Sequence, residues 1–173
     1  SDFAYSNTKV QIGTTLANNY AAQLNLSGFN SYLLAEPTNL RADRDRLLIA
    51  ESELLQLSET EAHEIIASIN QHFEGEVKVF YLREDLWLLG TNLDLHDLNS
   101  YPIIDIIGEN VDDYLPEGVS RIYLHKIMNE IQMLLFEHPV NSLRNEDNLL
   151  AVNSLWLWDK KIQPLPCKLG KAA

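Results

Sequence analysis

The stretch "LSETEAHEIIASINQHFEG", Leu57 to Gly75, followed at once by "VKVFYLREDLWLLG", constrains the fold more than any other part of the chain. Ser58 is an N-cap residue with Glu61 three positions on as its capping-box partner. Leu57 can staple to Ala62 and Gly75 supplies the stop, so a helix has defined ends here. The apolar period then changes from helical to alternating. Val77, Val79 and Tyr81 share one face, and Arg83 to Asp85 makes the turn of a β-hairpin. A helix leading into an antiparallel hairpin points to an α+β fold.

Thr15 to Leu24 places Leu16, Tyr20, Ala21 and Leu24 at helical spacing, with Gly28 beyond the end. "SYLLAEP" and "RLLIAES" are brief apolar runs bounded by Pro or charge, predicted as two strands around the turn "PTNLRADRD". The acidic segment "TNLDLHDLNSYPIIDIIGENVDDYLPEG" is interrupted by Pro102, Gly108, Pro116 and Gly118 and is predicted as a short helix and a loop. Ser120 to Glu137 reads as a long amphipathic helix on the stripe Tyr123, Leu124, Ile127, Met128, Ile131, Leu134 and Leu135, bordered by a polar line of Arg121, His125, Asn129 and Gln132. "LLAVNSLWLW" alternates as a strand, with Leu155 and Leu157 on one face and Ser154, Trp156 and Trp158 on the other. The expectation is one α+β domain over residues 1–173, a small, mainly antiparallel sheet with two or three helices packed on it, and loose ends at 1–9 and 160–173. Because the first residue is not Met, the chain is also readable as the C-terminal part of a longer protein.

With 173 residues the chain can bury about 70% of the surface its unfolded form exposes. A net charge of -12 repels phosphate backbones and anionic lipid heads, and the nearest basic cluster, Arg41, Arg44 and Arg46, is interleaved with Asp43 and Asp45. Nucleic acid and membrane are therefore not expected partners. The single cysteine, Cys167, excludes an intramolecular disulfide, and no apolar run approaches the roughly 20 residues that span a bilayer. The cytoplasm is the expected compartment.

Dinucleotide, P-loop, nucleophile-elbow and zinc-protease signatures are absent, and no His stands at zinc-ligand spacing from another His or Cys. Asp94, His96 and Asp97 in "DLHDLN" read as a surface loop before a cation site, and no metal or cofactor is assigned. Arg41 and Arg44 can face an anion or be held by the neighbouring aspartates. Arg144 has no acidic residue until Glu146 and is the better candidate to face an anion. His138 follows the long helix, where the dipole favours its protonated form and it can cap free carbonyls. Asn129, Gln132, Asn141 and Asn153 cannot do acid-base chemistry. They either lock helix to strand, with Trp156 and Trp158 over the seam, or floor a pocket with Arg144 and His138 at its mouth.

"LRADRDRLLI", "NEIQMLLFEHPVN" and "VNSLWLW", in this order from about Tyr32 to Trp158, resemble the bacterial RpfE-type regulatory protein family, whose members are often labelled cofactor-independent phosphoglycerate mutase. By that resemblance Asp43, Arg44, Asn129, Glu130, Gln132, Met133, His138, Pro139, Asn141, Arg144, Asn153, Ser154, Trp156 and Trp158 occupy characteristic positions. Asp159 stands where the family's last tryptophan is followed by glycine. Mutases of the metal-dependent kind use a Ser nucleophile with Asp and His ligands for two metals, and the cofactor-dependent kind a phosphorylated His in an R-H-G segment; the chain carries neither pattern. The reading that follows is a regulatory protein binding a small anionic metabolite or a protein partner, without a catalytic centre. The alternative is a mutase-like enzyme on a small phosphorylated acid, with Arg41, Arg44 and Arg144 holding the anion and His138 moving a proton. A third reading buries the Trp156 and Trp158 face against another chain, which leaves a homo-oligomer open.

Overall fold

The structure is a computed structural model and describes residues 14–162. Among these residues the elements run α1 (Leu16–Gln23), β1 (Ser31–Thr38), β2 (Leu40–Asp43), β3 (Arg46–Ile49), α2 (Glu59–Phe73), β4 (Val77–Arg83), β5 (Leu86–Thr91), α3 (Arg121–Phe136), α4 (Pro139–Glu146) and β6 (Ser154–Trp158). Four strands form one sheet in the order β4-β5-β1-β6, with every neighbouring pair antiparallel, and β2 and β3 form a separate two-stranded ribbon. The α+β class and the mainly antiparallel sheet are as expected; Cys167 and the first residues lie outside the described residues.

Register explains why the strands read as apolar runs. Ala35 faces Trp87 and Leu157 across β1, while Leu34 faces Leu88 and Trp158, so both faces of the sheet carry large side chains. All six of these residues are buried. Such a sheet needs cover on both sides. α2 packs on β4, α3 on β6, and α1 across β1 and β5. On the α1 side Phe29 lies so close to Gly90 that a Cβ there would come within 2.5 Å of the ring. α2 begins on the expected capping box of Ser58 and Glu61, and its C-cap Glu74 and the following Gly75 both turn left-handed.

Several expectations are corrected. β1 does not pair with Arg46–Ile49, because its two edges are taken by β5 and β6. The partner of Arg46–Ile49 is Leu40–Asp43, inside the stretch expected to be a turn, which leaves only Arg44 and Asp45 between the strands. α4 was not expected. Pro139 stands at the first helical positions, where its missing N–H costs nothing. The acidic segment makes two short 3-10 turns, Ile103–Asp105 and Val111–Asp113, whose Ile103, Ile106 and Val111 are buried. Tyr123 is 62% exposed and so is not part of the core stripe of α3. Residues 160–162 are not loose: Leu16 N–H donates to the Lys160 carbonyl and Ile162 N–H to that of Thr14.

Candidate functional site

Three asparagines pair with backbone in one and the same way. Asn153 accepts from Leu40 N–H at 2.7 Å through Oδ1 and donates to the Leu40 carbonyl at 2.8 Å through Nδ2. Asn141 does this with Val152, at 2.8 and 2.9 Å, and gives a second Nδ2 bond to the Leu135 carbonyl. Asn70, which the sequence did not single out, does it with Val79 on the edge strand β4. Each amide replaces one residue of a missing strand, satisfying an N–H and a C=O that have no ladder partner. Of the other two amides, Gln132 makes a long 3.5 Å contact with Ser154 Oγ, and Asn129 points outward from α3.

Arg144 does not stand at a pocket mouth. Its side chain is 1% exposed, with Nη1 donating to both Glu61 oxygens at 3.0 Å, Nε to the Leu150 carbonyl at 2.7 Å and Nη2 to the Leu55 carbonyl. The guanidinium fork is used up tying α4 to the start of α2. Burial pushes the Glu61 carboxyl up, but the Ser58 amide and the Arg144 guanidinium outweigh it and hold it below the usual carboxylate range. Trp156 and Trp158 are buried on the sheet, donating to the Tyr101 carbonyl at 2.7 Å and to Glu36 Oε2 at 2.9 Å. They therefore present no face to another chain. The expected seam is not one cavity, since its members turn to separate partners.

His138 is the N-cap of α4. Its Nδ1 accepts from Val140 N–H at 3.2 Å, which assigns the proton of the neutral ring to Nε2. Nε2 lies 2.8 Å from Ser68 Oγ, and Ser68 itself donates to the Glu64 carbonyl. The serine hydroxyl thus accepts from the imidazole instead of giving it a proton. That is the wrong direction for a nucleophile and base. Burial lowers the His138 pKa, so the ring is a neutral cap and not the dipole-stabilised cation expected at a helix C-terminus.

Arg41 and Arg44 are exposed on the β2–β3 ribbon, Arg44 in the left-handed region at φ 60°. Arg46 takes Asp43 at 3.5 Å. Neither Arg41 nor Arg44 has a side-chain hydrogen bond or ion pair among the described residues. Arg41 borders a groove of about 430 Å³ with Asn39, Leu48, Ile49, Leu54, Ile107, Gly108 and Leu150.

In "DLHDLN", Asp94 Oδ1 accepts from the His96 ring and amide, which raises His96 and lowers Asp94. Both Asp97 oxygens take Val119 N–H, and a Cβ on Gly118 would come within 2.9 Å of Asp97. The two carboxylates are thus each bonded to a different partner. Among the described residues no three His, Cys, Asp or Glu side chains converge as a metal site, so the donor set of a two-metal phosphotransfer centre is not present in them.

The model of the family described as 2,3-bisphosphoglycerate-independent phosphoglycerate mutase matches residues 3–141. The chain belongs to that family. Its match takes in Arg41, Arg44 and His138 and stops before Arg144 and the two tryptophans of β6. A protein of Methanosarcina mazei named 2,3-bisphosphoglycerate-independent phosphoglycerate mutase is 30% identical over 111 residues, 62% of this chain and 28% of that protein. One of Geobacter sulfurreducens named as a probable enzyme of that kind is 28% identical over 125 residues, 69% of this chain and 30% of that protein. The chain thus spans under a third of the length of these relatives. The solved cofactor-independent phosphoglycerate mutase of Thermoplasma acidophilum superposes with a TM-score of 0.56 over 78% of this chain and 37% of that one, at 18% identity, which shows a shared fold.

Proposed function

We propose that the chain is a non-catalytic, anion-recognising member of the phosphoglycerate mutase family, taking a small phosphorylated acid in the groove beside Arg41. The observation that carries this reading is that Arg41, exposed at the edge of the groove, makes no side-chain hydrogen bond or ion pair among the described residues while Arg144 is consumed inside the fold; Arg44 stands at the turn of the ribbon, outside the groove lining. A guanidinium fork matches a phosphate, and the apolar wall of Leu48, Ile49 and Leu54 lowers the local dielectric and strengthens such a bond. Recognition without turnover is also what a regulatory protein of the RpfE type requires.

Calorimetric titration of the purified chain with 3-phosphoglycerate tests this. The expected result is saturable binding, weakened about 10- to 100-fold in Arg41→Ala, the loss of one charge-assisted contact of about 1.5–3 kcal/mol. No binding by the unaltered chain, or equal binding by the variant, sinks the Arg41 site.

The second reading, mutase turnover by the chain itself, is favoured by the names of its relatives. It requires exchange of 2- and 3-phosphoglycerate that disappears in His138→Ala. The tautomer and cap bond of His138 count against it.

A further inference from the structure

α3 is apolar on two sides. Leu124, Ile127, Met128, Ile131 and Leu135 face the core, and directly opposite them, at spacings of seven, four and three, lie Ile122, Asn129, Met133 and Phe136. Three of these four are large apolar residues, exposed at 71%, 77% and 81%, so the outer side of the helix is as hydrophobic as many inner ones. A second apolar stripe on the solvent side of a helix, with His125 and Gln132 on one flank and Lys126 and Glu130 on the other, is the pattern of a contact face rather than of free surface.

The order of charges along the outer face selects what covers it. The N-terminal half carries Arg121 and Lys126 and the C-terminal half Glu130 and Glu137, with Asn129 at the middle of Arg121–Phe136; within one copy Arg121 meets Glu117 at 3.6 Å, Glu130 meets His72 at 3.4 Å and His125 turns to the Pro116 carbonyl. Two copies of α3 laid parallel would set like charge against like. Laid antiparallel about Asn129, they set Ile122 against Phe136 of the other copy and Lys126 beside its Glu130, and every contact occurs twice because the interface is self-complementary. The two Asn129 amides then meet on the two-fold axis, where a polar residue in an apolar seam fixes register and orientation at some cost in stability. We propose that this face binds a second copy of the chain, as an antiparallel pair of α3 helices. The surface is separate from the Arg41 groove, so this pairing stands or falls independently of ligand binding.

Sedimentation velocity on the full chain over a range of concentrations tests it. The expected result is a concentration-dependent dimer whose mass halves in Phe136→Glu and in Met133→Glu. Because both side chains are exposed in the single copy, those variants should keep the thermal midpoint of the isolated fold. Lys126→Glu should weaken the dimer, and adding Glu130→Lys to it should restore the association by exchanging the two charges across the interface. A chain that stays monomeric throughout overturns the proposal. So does a dimer indifferent to both glutamate substitutions, or one that Lys126→Glu weakens and Glu130→Lys fails to restore, which would mean another surface or another partner.

Discussion

Replacing Arg144 by alanine should be among the most damaging single changes available to this fold. The guanidinium makes bonds to Glu61, to the Leu150 carbonyl and to the Leu55 carbonyl from a side chain 1% exposed. Deleting one partner of a buried ion pair costs about 3–5 kcal/mol, because the other charge is left unpaired. Here that share is discounted, since the Glu61 side chain is 24% exposed and water can reach it. The orphaned Leu55 carbonyl, on a fully buried residue, adds about 1–3 kcal/mol, the Leu150 carbonyl adds little because Leu150 is 45% exposed and water can replace the bond, and the emptied volume adds a cavity cost. A total near ~4 kcal/mol is a large part of the 5–15 kcal/mol typical of a domain. Arg144→Lys should recover only a fraction, since an ammonium lacks the fork. Urea unfolding is the assay, read as a lower midpoint at constant m-value. A loss below ~1 kcal/mol, or a loss of ligand binding with stability intact, would refute the structural assignment of Arg144.

Two further perturbations test the same reasoning elsewhere. His138 has a folded pKa depressed by burial, so the unfolded chain takes up the proton more readily. Stability should be flat above the ordinary histidine range and fall as pH drops through it toward the depressed value; His138→Asn should keep the cap and abolish that fall, while His138→Ala should cost about 0.5–2 kcal/mol. Gly90→Ala should force the Phe29 ring to move from a 2.5 Å contact and cost about 1–3 kcal/mol by urea unfolding, with much of the loss recovered when Phe29→Ala is added.

Local chemistry made α2 and the β4–β5 hairpin legible, because caps, stops and alternation lie within a few residues of one another. Sheet order was not legible. β6 joins β1 from the far end of the chain, and nothing near Ser31–Thr38 announces that both its edges are taken. α4 is not legible because its signals, Pro at the start and Val140, Asn141 and Arg144 as the buried side, are also those of a turn after the end of α3. The candidate site shows the same limit. Amides near tryptophans stand out in the sequence as groups that need partners, yet only the fold tells that Asn141 and Asn153 stand in for strand residues. Arg144 looked free because its partner, Glu61, is remote in sequence and had already been explained as a capping-box residue. Asp159, where the sequence resemblance leads one to expect glycine, accepts from Ala17 N–H at the start of α1, so the residue has a structural use.

Recognition without turnover is tested most directly by phosphorus NMR of 3-phosphoglycerate mixed with the purified chain, with and without manganese, which reads binding and turnover at once. The prediction is a concentration-dependent shift or broadening of the phosphate resonance that Arg41→Ala abolishes, with no second resonance growing in. Growth of a 2-phosphoglycerate signal with the unaltered chain, lost in His138→Ala, would contradict it and make this chain an enzyme.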